Sequence, residues 1–275
     1  MSPIKYNGMI ENENNKLIFN DCLKLYINLD SRTDRKLHME QSLKLAGFES
    51  ERIRGIDWHE CNLSNPQFAG MVKRGTLGAI GCHQSQVSCM RRALKENKSV
   101  LIMEDDLVFC EDFLDRIKIV EDFCNNNSWD VIFLGGTVHA PVPEWHTKGH
   151  TNTELTSKDC NCNLRVDIER VEGSKHIFKA YGVFSTYCYL VNLDSIPKIL
   201  SLFDKHVHTS MGIDWLFIKL SPQMNNFVFL SGCTRQYNNQ SNIGNGVTNF
   251  DAFKNLGQHW FTNKLEDFDP LTIKW

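Results

Sequence analysis

The chain carries an apolar run, Val100-Leu101-Ile102-Met103, that ends in three consecutive acids, Glu104, Asp105 and Asp106. Four apolar residues, two of them β-branched, predict a buried strand of a parallel sheet, and ligands in such sheets gather beyond the carboxyl ends of the strands. Side chains alternate along a strand, so Glu104 and Asp106 are expected on one side and Asp105 on the other, unless the chain has already turned into a loop. Two carboxylates about 5 Å apart repel by roughly 3 kcal/mol at an effective dielectric of ~20, so the cluster calls for a cation, a proton or an arginine. Oxygen ligands of this kind suit Mn²⁺ or Mg²⁺, above all when a substrate phosphate completes the shell. The residues alone leave other uses open: a solvated acidic turn after a strand, or a magnesium phosphohydrolase with Asp105 or Asp106 as nucleophile.

The elements that must hold these acids follow from the pattern on either side. Leu23 to Leu29 reads as a first strand, followed by the polar turn Asp30 to Arg35 and a helix carrying Leu37, Met39, Leu43 and Leu45 that Gly47 is placed to stop. Leu77 to Asn97 repeats Ile80, His83, Val87, Met90 and Leu94 at helical spacing and leads into the acidic strand. A helix over Glu111 to Cys124, a strand over Trp129 to Leu134 closed by Gly135-Gly136, a strand over Thr186 to Val191, helices over Asp194 to Phe203 and Ile213 to Leu220, and a strand over Phe227 to Leu230 complete the alternation. Pro197 falls in a first helical turn, where a missing backbone donor does little harm. The alternation predicts an α/β fold with a mainly parallel central sheet flanked by helices.

Composition narrows the class. The 275 residues suffice for one large α/β domain, and a net charge of −3 gives no general reason to expect a nucleic-acid partner. Residues 1–20 are read as a flexible polar tail and residues 21–275 as a single domain, with residues 137–174, rich in Pro, His, Asn, Thr and Gly, an acceptor-side or lid insertion. No run reaches the length of a membrane span and the amino-terminal residues lack the apolar core of a signal peptide, so a cytoplasmic protein is expected. Ten cysteines are too dilute for a disulfide scaffold and fit reduced thiols, and Cys160-Asn161-Cys162 lacks the spacing of a zinc site.

Three segments taken together resemble glycosyltransferase family 25: Ile27-Asn28-Leu29-Asp30-Ser31-Arg32-Thr33-Asp34-Arg35, Gly78-Ala79-Ile80-Gly81-Cys82-His83-Gln84-Ser85, and Leu101 to Asp106. Their order and spacing match as well, and Trp129 to Gly135, Tyr187 to Leu190, Gly212-Ile213-Asp214 and Gln240 to Ile243 extend the likeness over roughly residues 22–245. That family includes bacterial enzymes that build lipooligosaccharide and animal enzymes that galactosylate collagen hydroxylysine, with relatives in large DNA viruses. The resemblance implies a GT-A-type, Rossmann-like fold and inverting transfer of a hexose from a UDP-sugar to an acceptor hydroxyl, on a glycan or a hydroxylysine-bearing protein. UDP-galactose is the first choice of donor and UDP-glucose the runner-up. A catalytically silent relative that binds sugars or a partner is the reading from another class.

The resemblance also assigns roles. Asp106 is the expected direct ligand of Mn²⁺, with Glu104 a second metal or water ligand, and Glu104 or Asp105 holding ribose hydroxyls. Asn28 and Asp30 lie at the mouth of the first strand, and Arg32 and Arg35 are placed to donate to a diphosphate or a uracil carbonyl, the alternative being that they pair with Asp30 and Asp34 in a solvated turn. Gly81 is placed for close backbone approach to the nucleotide, and Gln240 for a loop closing over the diphosphate, with His259 a late metal ligand. Asp214, after Gly212-Ile213 at a loop-to-helix junction, is the expected general base; a plain helix N-cap is its alternative. Trp215 beside it is suited to stacking on a sugar or to the core. His83 sits on an apolar stripe, as a satisfied core histidine would. One departure stands out: where the family often has Ser-His, this chain has Ser85-Gln86.

Overall fold

The computed structural model describes residues 17–138, 168–210, 212–230, 232–236 and 263–267. Ten strands and six α-helices are labelled here in chain order. They are β1 (Leu23–Asn28), α1 (Thr33–Ala46), β2 (Glu51–Arg54), α2 (Ala69–Arg74), α3 (Leu77–Glu96), β3 (Val100–Glu104), β4 (Leu107–Phe109), α4 (Phe113–Asn126), β5 (Val131–Val138), β6 (Ile168–Arg170), β7 (Ile177–Ala180), β8 (Val183–Val191), α5 (Ile196–His206), α6 (Ile213–Leu220), β9 (Asn226–Phe229) and β10 (Thr234–Gln236).

Eight strands form one sheet in the order β2-β1-β3-β8-β5-β9-β7-β6, and β4 pairs with β10 in a separate ribbon. Within the large sheet β1 pairs in parallel with β2 and β3, and β5 with β9, whereas β8 runs antiparallel between β3 and β5 and β7 runs antiparallel between β9 and β6. All the strands but β8 and β7 therefore point one way, a Rossmann-like α/β sheet as the sequence pattern predicts.

Alternation along each central strand divides the interior into two cores, because successive side chains leave opposite faces. Val100, Ile102, Val131, Phe133, Tyr189 and Val191 face α2, α3, α5 and α6. Leu101, Met103, Ile132, Leu134, Cys188 and Leu190 face α1 and α4. Both faces are covered, which is why β3 and β5 read as continuous apolar runs rather than alternating ones.

Helix α1 ends on Gly47, which takes the left-handed conformation (φ 78°) and donates its N–H to Leu43 O, as its sequence position foretells. Its apolar stripe is narrower than expected: Met39 and Leu43 are buried, but Leu37 and Leu45 lie in solvent. Strand β5 does not stop at Gly135-Gly136; it continues to Val138 with register shifts against β8 on either side of Gly135. The last residues assigned to the tail are also anchored. Leu17 and Phe19 are buried, and the Leu17 N–H donates to Asn125 Oδ1 of α4 at 2.7 Å.

Segment 263–267 is fastened to the start of α4 as well, where Leu265 N donates to Asp112 Oδ2 (2.6 Å) and Asn263 Nδ2 to Glu111 Oε1 (2.5 Å). The fully buried Arg116 joins Asp112 to Gly232 O. Most of the expected insertion, residues 139–167, lies outside the described residues, as do Cys160, Cys162, Gln240 and His259. Among the described residues no helix is long and apolar enough to cross a membrane.

Candidate active site

Strand β3 ends at Glu104, and the chain then bends through Asp105 and Asp106 before β4 begins at Leu107. The bend overrides simple alternation. Asp105 and Asp106 are not splayed to opposite sides but converge on one arginine: Arg35 Nη1 lies 2.9 Å from Asp105 Oδ1 and 3.2 Å from Asp106 Oδ2. All three side chains are nearly buried. Glu104 keeps the parity of Val100 and Ile102 and so turns toward α3, where Cys82 Sγ stands 3.8 Å from its Oε1.

The neighbouring strand end completes the group, since β1 and β3 are paired side by side. Asn28, the last residue of β1, is buried and donates from Nδ2 to Asp105 Oδ2 (2.7 Å) and to Arg32 O (3.0 Å). Its own Oδ1 accepts from Arg52 Nε at 2.8 Å, and Arg52 Nη2 reaches Asp30 Oδ1 at 2.5 Å. Asp30 also accepts from Arg54 (3.0 Å) and is itself largely exposed, and these arginine hydrogen bonds hold it below the usual carboxylate range. Arg32 makes a bidentate pair with Asp34 across the turn (2.9 and 2.8 Å), the use its turn position suggested beside donor binding. Asn28, Arg35, Asp105 and Asp106 are thus brought into one cluster, and Asp30 and Arg32 stand at its rim.

The cluster disposes of its charge in two ways. Arg35 supplies a cation between the aspartates, and burial, with Asp106 and Asp105 beside it, pushes Glu104 up to about 8. Hard carboxylate oxygens fit a divalent ion chemically, yet among the described residues no three His, Cys, Asp or Glu side chains are grouped to hold one. An ion here would rest on one or two carboxylates and draw its remaining ligands from phosphate and water, the usual arrangement for Mg²⁺.

Asp214 lies in the first turn of α6, half-buried, and accepts from Trp215 N (2.8 Å) and Ser185 N (3.4 Å). Burial raises its carboxyl against those two donors, and its charge in turn contributes to raising Glu104, so the two acids share a neighbourhood. Ser185 donates from a left-handed backbone (φ 53°) within β8, a conformation uncommon outside glycine. Trp215 meets Phe184 edge to face, with ring centroids 5.7 Å apart.

Gly81 and His83 both take packing roles. Gly81 does allow close approach, but what approaches is the chain itself: a Cβ there would stand 2.2 Å from Ile56 O and 3.1 Å from Trp58 N. The glycine lets α3 pack on the segment after β2, and Ser85 secures the same join by donating to Gly81 O (2.7 Å) and accepting from Ile56 N (2.8 Å). His83 packs near Phe68 and Phe203, and burial lowers it to about 4, so it is a neutral core residue.

Sequence reasoning gives no place in the site to Arg52, Cys82 or Gln86. Arg52 lies on β2, a four-residue edge strand, Glu51-Arg52-Ile53-Arg54, whose polar composition carries no strand signal. Cys82 and Gln86 lie one helical turn apart on α3, on the side that meets Glu104 and Tyr189.

A Rossmann-like sheet with acids, an amide and an arginine gathered at adjoining strand ends defines a class of protein that binds its ligand at the carboxyl edge. The profile of glycosyltransferase family 25, described as an LPS biosynthesis protein family, matches residues 23–217, a span containing every described element from β1 into α6. The chain belongs to glycosyltransferase family 25. It is similar to a "Glycosyltransferase 25 family member" of Anopheles gambiae, 24% identical over an alignment of 189 residues, with 63% of this chain and 28% of that protein covered. A protein of the same description from Drosophila melanogaster is 32% identical over an alignment of 127 residues, with 40% of this chain and 20% of the relative covered. The matched region therefore spans less than a third of the length of these insect relatives.

Proposed function

We propose that this chain is an inverting hexosyltransferase that moves a sugar, galactose before glucose, from a UDP-sugar to an acceptor hydroxyl on a glycan or a hydroxylysine-bearing protein. The observation that carries the reading is the Asn28–Asp105–Arg35–Asp106 cluster at the joined ends of β1 and β3, in a member of family 25. Arg35 is the described cation nearest the acids and is suited to meet diphosphate oxygens as they enter. Asn28 and Arg52 fix Asp105, so the ribose or the diphosphate meets a carboxylate already held in place.

Metal dependence belongs to the same proposal, with Asp106 and Glu104 as the residues that would hold Mn²⁺ or Mg²⁺. Such an ion, when bound, supplies positive charge against the negative charge gathering on the departing diphosphate. Asp214 is assigned the base. Its carboxylate takes the acceptor hydroxyl proton while that oxygen bonds to the anomeric carbon and the carbon–diphosphate bond breaks on the opposite face. Burial, which raises Asp214, makes it a better proton acceptor, and the Trp215 and Ser185 amides aim it.

Turnover of UDP-galactose and UDP-glucose, each with and without Mn²⁺, tests the reading. Release of UDP that depends on Mn²⁺ and favours galactose is expected. Binding of the sugar nucleotide without turnover would identify a silent relative, and phosphate release from simple esters would identify a hydrolase.

A further inference from the structure

The contact that Glu104 makes on α3 is the last of a series. Tyr189, fully buried in the middle of β8, donates its hydroxyl to Gln86 Oε1. Gln86, also fully buried, donates from Nε2 to Cys82 Sγ at 3.2 Å, and Cys82 Sγ lies 3.8 Å from Glu104 Oε1. The opposite orientation of the Gln86 amide would leave the buried Tyr189 proton with no acceptor among the described residues, a costly arrangement. With the amide so fixed, sulfur accepts from Gln86, and the thiol proton is left for Glu104. A thiol of ordinary acidity carries its proton at neutral pH. Every donor in the series points toward the acidic cluster.

We propose that Tyr189, Gln86 and Cys82 form a one-way hydrogen-bond relay that holds Glu104 Oε1 as an acceptor and so fixes the orientation of this carboxyl group for the donor nucleotide. Gln86 and Cys82 are positioning residues in this scheme. It gives a use to the glutamine that stands where the family often has histidine: a side chain with one acceptor and one donor set back to back, joining a core tyrosine to a thiol. The proposal rests on the reading of the acids as the donor site.

Calorimetric titration of the full chain with UDP and Mn²⁺, alongside turnover of UDP-galactose, tests it. Cys82→Ala and Gln86→Leu are expected to weaken UDP binding about 10- to 100-fold, the range typical of residues that orient a ligand-holding side chain. The loss should appear in KM more than in kcat, and Cys82→Ser, which keeps a donor, should restore binding. Infrared spectroscopy gives a readout without ligand. The S–H band that disappears in Cys82→Ser should shift toward the free-thiol position in Glu104→Met, which removes the oxygen acceptor, and this reading needs neither Cys82→Ala nor Gln86→Leu to fold. If the wild-type chain takes up no UDP, the donor-site reading falls and the proposal with it. If the wild type binds but both variants bind equally well, or if the S–H band stays in place in Glu104→Met, the relay is overturned while the donor site stands.

Discussion

One nitrogen of Arg35 joins two consecutive carboxylates, Asp105 at 2.9 Å and Asp106 at 3.2 Å. That geometry answers the electrostatic demand of the acidic run inside the protein itself, before any ligand arrives. On the proposed reading a metal ion and Arg35 would compete for the same oxygens, so a diphosphate entering with its ion would have to draw the guanidinium to itself. Asn28, bonded to Asp105 and to Arg52, keeps the first carboxylate in place during that exchange.

Arg35→Met should therefore leave two nearly buried carboxylates facing each other. Removing one side of a buried ion pair typically costs about 3 kcal/mol or more. The melting temperature should drop accordingly in the absence of metal and recover in part when Mn²⁺ is added, because the ion takes over the neutralising role. A variant as stable as the wild type under both conditions would show that Arg35 is not what balances the acids.

Asp214→Asn keeps the size of the side chain and removes its capacity to take a proton. Turnover is expected to drop at least ~100-fold with donor affinity nearly unchanged, since a general base contributes typically ~10²- to 10⁴-fold. Steady-state kinetics together with UDP titration separates the two effects. Full activity in this variant would move the role to another carboxylate.

At Gly81 the space for a side chain is taken by Ile56 O, 2.2 Å from where a Cβ would stand. Gly81→Ala should push α3 away from the segment after β2 and destabilise the fold by about 1–3 kcal/mol. Denaturant unfolding measures it. An alanine variant with an unchanged midpoint would mean that the segment yields without cost.

Lys179 gives a pH signature far from the acids. It is buried, donates to Met224 O (2.9 Å) and Asn225 Oδ1 (3.2 Å), lies over the Phe227 ring, and is lowered by desolvation from 10.5 to about 8. Between those values the unfolded chain holds more protons than the folded one, so stability attributable to Lys179 rises with pH across that window, and the burial cost is fully present below it. The stability of Lys179→Met relative to wild type should therefore be greatest below pH 8 and decline by ~2 kcal/mol as the pH is raised, a figure reduced for solvent screening. A constant difference across the range would refute the lowered value.

What the sequence makes legible is what rests on long periodic runs. Strands β3 and β5 and helix α3 are buried on the faces their patterns predict, and the acids stand at a strand end because that strand is apolar on both sides. Short, polar or edge elements are not legible in the same way: β2 has no apolar face to betray it, and Arg52 is hidden with it. The convergence of Asp105 and Asp106 on Arg35 depends on a two-residue bend that alternation cannot foresee. The Glu104–Cys82–Gln86–Tyr189 series joins residues up to 103 positions apart across three elements, and only their folded arrangement shows that the thiol and the amide belong together.

The fastening of residues 263–267 to Glu111 and Asp112 has a practical consequence for anyone shortening this protein. Those two acids follow the Leu107–Phe109 strand, which in turn follows directly from Asp106, so removing the fastening loosens a lever whose other end is the acidic bend. Shortened versions that stop before Asn263 should then lose cluster geometry without losing any cluster residue, and defects caused by such trimming would be mistaken for defects of chemistry.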